Sequence, residues 1–139
     1  MKMYSIFIPL AAVAIIAGCG NMLTGKAEAE KAIPIFHTLL DQEKYAEIYS
    51  AADVGFTKAI SQEKWTQILE AVHRKLGKVK SAETGTWNMK TWNTKTYVTI
   101  SQETVFENGT GTETFTYIIR DGKALLQSYN INSTDLITK

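Results

Sequence analysis

The chain has 139 residues, of which 45% are hydrophobic and 21% are charged, an ordinary composition for one globular domain. Its formal net charge is +1, so nothing in the charge balance indicates a nucleic-acid partner. The single cysteine, Cys19, excludes an intrachain disulfide. The sequence has two histidines and no glycine-rich phosphate loop, nucleophile elbow or CxxC motif, so we expect neither a metal site nor a cofactor.

The first 18 residues have the pattern of a cleaved signal peptide. Lys2 precedes the uncharged residues 6–17, a run too short for a transmembrane helix. The small residues Ala17 and Gly18 stand directly before Cys19, and this order resembles the lipobox of bacterial lipoproteins. The resemblance implies that a diacylglycerol is attached to the Cys19 thiol and that the chain is cleaved before this residue.

Such processing would anchor the protein in the cell envelope, with its domain facing outside the cytoplasm. Several acyl chains, palmitate among them, hold a protein on a membrane stably, whereas a single chain does not. Gly20 follows the cysteine where Asp would direct sorting in enteric bacteria, so without a known host both the outer and the cytoplasmic membrane stay open. We expect residues 19–27 to be the lipidated cysteine and a tether, because Gly and Asn are poor nucleators of regular structure. Residues 28–139 would then form a single domain.

Three stretches of the predicted domain have the spacing of amphipathic helices. The first places four residues on one face: Ile33, Phe36, His37 and Leu40. Because Pro34 disrupts a helix interior, this helix is expected either to start near Pro34 or to kink there. The second, short stretch contains Tyr45, Ile48 and Tyr49.

The third helix is the clearest, since it has both a start and a stop signal. Ser61 is a favourable N-cap, and Gly77 is the residue type that most readily adopts a left-handed C-cap. Five apolar residues lie between them at helical spacing: Trp65, Ile68, Leu69, Val72 and Leu76.

After Gly77 the apolar residues recur with a period of two, which is typical of strands. We expect four antiparallel strands at about 79–90, 95–106, 112–120 and 124–132. Phe115, Tyr117 and Ile119 would share one face of the third strand, and Leu125, Tyr129 and Ile131 one face of the fourth. Asp121-Gly122 is typical of a tight hairpin. The order predicts an α+β fold, with N-terminal helices packed on one face of a four-stranded antiparallel meander.

Aromatic and turn residues recur along this domain: Leu39-Leu40-Asp41, Tyr45, Phe56, Trp65, Leu76-Gly77-Lys78-Val79, Phe106, Glu113, Asp121-Gly122-Lys123 and Tyr129. Together they resemble the pattern of the bacterial domain-of-unknown-function family 4019. The resemblance covers about residues 29–133. It implies a cystatin-like or nuclear-transport-factor-2-like architecture, in which a curved sheet wraps a helix, and it implies no established activity.

His37 and Asp41 are four residues apart, so their side chains can meet on one helix face. The pair could be a general base with its orienting carboxylate, as in isomerase-like relatives of this fold, which would make the protein a small cavity enzyme. The two residues could instead be a solvated ion pair without a catalytic role, and this is the interpretation that we favour. We also expect His73 to be solvated.

The segment from Trp87 to Trp92 has the most unusual composition. Trp87 and Met89 would lie on one face of a strand, and Trp92 on the other, near a hairpin turn. Both tryptophans could instead pack within the protein. Because exposed aromatic side chains are enriched in binding surfaces, we expect Trp87, Met89 and Trp92 to contact a partner. The sequence thus favours a non-catalytic envelope lipoprotein that binds a protein partner or a small ligand.

Overall fold

A computed structural model describes residues 20–139, so Cys19 and the predicted signal peptide lie outside the described residues. Within that range, four helices precede a four-stranded sheet and a short helix follows it. The helices are α1 (Gly20–Asp41), α2 (Tyr45–Ala51), α3 (Val54–Ala59), α4 (Gln62–Leu76) and α5 (Asp135–Thr138). The strands are β1 (Val79–Trp92), β2 (Lys95–Phe106), β3 (Gly109–Arg120) and β4 (Lys123–Asn132). The sheet is antiparallel with the order β1-β2-β3-β4, which confirms the predicted α+β meander.

Helix α1 begins at Gly20, so the prediction of an irregular tether over residues 20–27 is wrong. Packing against the sheet outweighs the weak helix propensity of this segment. Gly25 is buried, and a Cβ atom on it would lie only 2.9 Å from Met89 Cε. The glycine therefore lets the helix approach the sheet closely. The helix also continues through Pro34, whose ring lies on the exposed side.

The predicted cap positions of α4 are confirmed. The Ser61 side chain accepts a hydrogen bond from Lys64 N at 3.3 Å, and the helix ends at Gly77. The φ of Gly77 is positive, at 75°, but its ψ of −159° is not that of the left-handed helical conformation. Four of the five apolar residues at helical spacing are buried, whereas Ile68 is 43% exposed. Helix α3, which the sequence analysis missed, begins after Asp53, whose carboxylate accepts a hydrogen bond from Gly55 N at 2.7 Å.

The face of the sheet that carries the helices contains the aromatic and branched residues of the core. Ile33, Phe36, His37 and Leu40 of α1 are all buried against it, as their spacing predicted. The opposite face of the central strands is rich in threonine, with a hydrogen bond of 3.0 Å between the Thr99 and Thr116 hydroxyls. One face is therefore apolar and covered, whereas the threonine-rich part of the other face is polar.

Strand β4 departs from the predicted alternation. Thr116 pairs with Ser128, but the next residue, Tyr117, pairs with Leu126, so the register shifts at this point. Leu126 consequently joins Tyr129 on the core face, whereas Leu125 pairs with Ile118 on the opposite face. The prediction that Leu125 shares a face with Tyr129 is wrong, because one extra residue reverses the parity of a strand.

Helix α1 runs along the sheet from one end to the other. Near its start, Gly25 lies beside Met89 and Ile119, which are close to the turns that join β1 to β2 and β3 to β4. At its other end, Asp41 Oδ1 accepts a hydrogen bond of 3.0 Å from Val79 N, at the start of β1. The first turn of α1 and these two turns therefore lie at the same end of the domain, which we call the hairpin end.

Candidate functional site

An apolar groove of about 390 Å³ opens between α1, α2 and β4. Its walls are formed chiefly by six side chains: Ile35, Phe36, Leu39, Ile48, Tyr117 and Leu126. Ile35 is 61% exposed although it is a large apolar residue. The groove falls within the size range of small-molecule sites, roughly 300–1,000 Å³, and has the mostly apolar lining typical of them.

The hydroxyl of Tyr117, which borders this groove, has an unusual environment. It is buried and has no hydrogen-bond partner among the described residues. Burial, with a smaller contribution from the negative charge of Glu113, raises the pKa of the Tyr117 hydroxyl far above its ordinary value. The group therefore stays protonated and can donate a hydrogen bond. A buried donor without a partner costs about 1–3 kcal/mol, which an acceptor on a bound ligand would offset.

Two lysines border the same groove. The Lys31 ammonium contacts Glu28 Oε1 at 2.9 Å, whereas the exposed Lys123 forms no ion pair within residues 20–139. The groove thus combines an apolar wall, a buried hydroxyl donor and a cation at its border.

A second candidate is a cluster of buried polar side chains centred on Glu113, which is fully buried. Its carboxylate accepts hydrogen bonds from four residues. His37 Nε2 lies at 2.7 Å, Thr104 Oγ1 at 2.5 Å, Gln102 Nε2 at 3.3 Å and the Tyr129 hydroxyl at 2.7 Å. His37 and Gln102 also border a pocket of about 400 Å³ between α1 and β1.

These hydrogen bonds determine the charge state of the cluster. Burial raises the pKa of Glu113, but the hydrogen bond and charge of His37, with further hydrogen bonds from Thr104 and Tyr129, lower it by more. The net result is a pKa below the ordinary value, so Glu113 is a carboxylate at neutral pH. Burial first, and the neighbouring carboxylate second, raise the pKa of Tyr129 well above its ordinary value.

The predicted pair of His37 and Asp41 is wrong. His37 bonds to Glu113, 76 residues away, while Asp41 accepts from the backbone of Val79. The solvated alternative is wrong as well, since His37 is buried. Its helix face turns inward, so the carboxylate that reaches it comes from the sheet. His73 is half-buried, and its Nδ1 is buried without a hydrogen-bond partner in residues 20–139, so the prediction that it is solvated is wrong.

From the sequence, Glu113 was predicted only as a position of family resemblance, and Gln102 was not predicted to belong to a site. A signal for both was present. Glu113 is two residues before Phe115 in the alternation that marks the core face of β3, and Gln102 is two residues after Ile100 in β2. A polar residue at a strand position that faces the core needs hydrogen-bond partners, and the residues of this cluster provide them.

The predicted partner-binding residues lie near the hairpin end. Trp92 is 61% exposed and Trp87 is 40% exposed, with the Lys26 ammonium 5.3 Å from the centre of the Trp87 ring. Met89 is half-buried and packs against the core. Trp92 is therefore the most accessible of the three, and their contact with a partner stays a prediction.

In the described part of the chain, no helix is long and apolar enough to cross a membrane. The same residues contain no group of three or more His, Cys, Asp or Glu side chains that could hold a metal ion.

Comparison with known proteins gives a family without an assigned activity. The family described as "Protein of unknown function (DUF4019)" matches residues 34–129. No curated protein matches the chain. The matched range extends from the middle of α1 into β4 and includes His37, Glu113 and the exposed tryptophans. Since it spans more than half of the 139 residues, the chain belongs to this family of proteins of unknown function.

Proposed function

We propose that this protein is an envelope lipoprotein, anchored by a lipid on Cys19, whose domain binds a small amphiphilic ligand without transforming it. The observation that carries the proposal is the apolar groove beside the unpartnered Tyr117 hydroxyl. The membership of the domain in the cystatin-like or nuclear-transport-factor-2-like group is part of the same proposal. It is supported by the α+β order of helices before a meander sheet.

The groove suits a ligand with one acyl chain and an acidic or carbonyl head. Ile35, Leu39 and Leu126 offer apolar contacts to a chain, and the volume matches a small molecule. Lys123 can attract a negative charge at the border of the groove. The unpartnered Tyr117 hydroxyl is buried, so it would donate to an oxygen of a ligand that enters deeply enough to reach it. This combination favours a fatty acid over an alkylamine, because the amine would meet a cation and would bring no acceptor.

Filling the groove is expected to weaken the binding of sodium laurate, measured by isothermal titration calorimetry. Ala51 borders the groove and is exposed, so Ala51→Trp should occupy the site, leave the fold intact and weaken binding at least about tenfold. Ala46→Trp is the matched control, since Ala46 is exposed on the same helix and does not border the groove. Tyr117→Phe should weaken binding of laurate and leave the domain as stable as before or more so.

Two results would contradict the proposed ligand. One is the absence of heat from laurate with the unaltered protein. The other is equal binding by the Ala51→Trp and Ala46→Trp variants, which would mean that laurate binds elsewhere.

The anchor has its own test. Replacing Cys19 with Ser should abolish incorporation of radioactive palmitate and leave an uncleaved precursor, because only a thiol can form the thioether to diacylglycerol. Gel mobility and labelling of the expressed full chain measure both effects. Labelling that survives in the Cys19→Ser variant would show that the lipid is attached elsewhere.

One observation favours a second candidate function, a small cavity enzyme. His37 is held by the carboxylate of Glu113 and borders a pocket, an arrangement that orients an imidazole as a general base. The carboxylate that orients His37 in this candidate enzyme is that of Glu113, and not that of Asp41. Loss of a general base typically costs at least about 10²-fold in rate. A drop of that size in His37→Ala, measured at a temperature where circular dichroism shows that the variant is folded, would support the enzyme over the binding protein.

A further inference from the structure

The hairpin end carries both the start of α1 and the two exposed tryptophans. Gly20, the first residue of α1, is covalently bonded to Cys19, the proposed lipid site. The inference below rests on that proposed anchor. If the lipid is attached there, it is joined to a regular helix by a single peptide bond and no flexible tether separates the domain from the bilayer.

Distances along the chain place the turn between β1 and β2, which follows Trp92, at about the same depth as the proposed lipid on Cys19. Gly25 is next to Met89, and from this contact α1 and β1 continue toward the same end of the domain. Gly20 lies five residues before Gly25, about 7.5 Å along a helix axis. Trp92 lies three residues after Met89, about 10 Å along a strand. The turn after β1 therefore extends about as far toward the bilayer as the start of the helix.

The side chains at this end have the composition of a membrane-contact surface. Three large apolar residues are strongly exposed: Met22, Leu23 and Trp92. Lys90 lies two residues before Trp92 and Lys95 is its cross-strand partner. Both lysines are exposed and form no ion pair with any residue in the range 20–139. Three further basic residues lie nearby. Lys26 is paired with Glu30 and Arg120 with Asp53, whereas the exposed Lys123 forms no ion pair within residues 20–139. Asp121 is the acidic residue of the second turn.

We infer that the hairpin end rests on an anionic bilayer, with Trp92 at the level of the headgroups and Lys90 and Lys95 against the lipid phosphates. Tryptophan favours the membrane interface because its ring is apolar and its N–H can remain hydrated. Lysines near an anionic surface add electrostatic attraction that falls off within a Debye length. The chain as a whole has a net charge of only +1, so this attraction comes from the local placement of the lysines.

Fluorescence quenching by brominated lipids tests this orientation. The protein, purified with its lipid from membranes of a bacterium expressing the full chain, is reconstituted into vesicles of phosphatidylcholine and phosphatidylglycerol brominated near the headgroup. Trp92→Phe should remove most of the quenching, because Trp65 is buried in the core and Trp87 is partly shielded by Lys26. Quenching should decrease in high salt and in vesicles of phosphatidylcholine alone.

Two double charge reversals, one at each end of the domain, test the role of the lysines, and the second of them is the matched control. Lys90→Glu with Lys95→Glu should lower the quenching at least twofold. Lys78→Glu with Lys80→Glu makes the same change in charge at the opposite end of the domain, where both lysines are also exposed, and should leave quenching unchanged. Thermal midpoints of all variants establish that each one is folded.

Flotation of the vesicles separates the two possible failures. Protein that floats with the vesicles but shows no quenching that depends on Trp92 would overturn this orientation and leave the tryptophans free for an envelope protein. Protein that does not float and lacks the mass of a lipid would contradict the proposed anchor, and the orientation with it.

Discussion

Trp65→Ala is expected to lower the free energy of unfolding by about 3–5 kcal/mol, the typical cost of truncating a buried tryptophan. Trp65 is 2% exposed and lies at the contact between helices and sheet. Its ring packs edge-on against Phe56 at 4.9 Å and against Tyr129 at 5.8 Å. Removing it would leave a cavity bordered by aromatic rings, which are too rigid to close it. A loss of this size approaches the whole stability of a small domain.

Trp65→Phe is the informative control for this result. The indole N–H of Trp65 is buried and has no hydrogen-bond partner among residues 20–139, so phenylalanine removes an unpaired donor and keeps most of the apolar contact. We expect Phe to cost much less than Ala. Trp92→Ala should leave the midpoint unchanged, since Trp92 is exposed. Thermal unfolding followed by circular dichroism measures all three variants, and a Trp65→Ala midpoint within a few degrees of the unaltered protein would show that Trp65 is not core.

The sequence predicted those parts of the fold that depend on local chemistry. Ser61 and Gly77 mark the ends of α4 because capping involves residues only a few positions apart. Asp121-Gly122 predicted the last hairpin for the same reason, as both residues adopt positive φ. Strand alternation then identified the core face of β2 and β3, whose pairing contains no register shift.

Contacts between distant segments explain the predictions that failed. The first two turns of α1 contain glycines that disfavour a helix on their own, and burial of Gly25 beside Met89 and Ile119 compensates for that weakness. In β4, nothing in the local sequence distinguishes Leu125 from Leu126 as the core residue. The register shift opposite Tyr117 decides between them.

The polar cluster shows the same limit at a candidate site. Helical spacing indicates which residues share a face of α1, but it cannot identify what packs on that face. Asp41 is the carboxylate nearest to His37 along the helix, yet Glu113 is its partner. The available signal was that Glu113 occupies a core-facing position in β3. This position indicates that Glu113 needs a hydrogen-bond partner, but it does not indicate which residue that partner is.

The second large effect is expected at this cluster. His37→Ala should lower the free energy of unfolding by about 1.5–3 kcal/mol, because the fully buried carboxylate of Glu113 loses a hydrogen bond, and a hydrogen bond to a charged group contributes about that much. Glu113 would remain fully buried, with hydrogen bonds from Thr104, Gln102 and Tyr129 but without the imidazole at 2.7 Å. Urea unfolding at pH 7 measures the loss, and a cost below about 1 kcal/mol would show that His37 adds little to the stability of the cluster.

The pH dependence of the free energy of unfolding tests the contribution of Glu113 to the same cluster. The pKa of Glu113 is lowered in the folded state from an ordinary value of 4.5, so its stabilising contribution is fully present above that value. The contribution disappears as the pH falls through the lowered pKa, because the folded protein must then bind a proton that it disfavours. We therefore expect the free energy of unfolding to decrease below about pH 4.5, and Glu113→Gln, which cannot titrate, to show a shallower decrease.

Combining the two substitutions distinguishes a specific pair from a generally sensitive core. If the hydrogen bond between His37 and Glu113 provides the stability, His37→Ala with Glu113→Gln should cost less than the sum of the single changes, because the second removes the charge that the first leaves unpaired. Additive costs would mean that each residue stabilises the core separately. The free energy of unfolding could also decrease with acidification as steeply in Glu113→Gln as in the unaltered protein. That result would mean that another carboxylate controls the acid sensitivity of this fold.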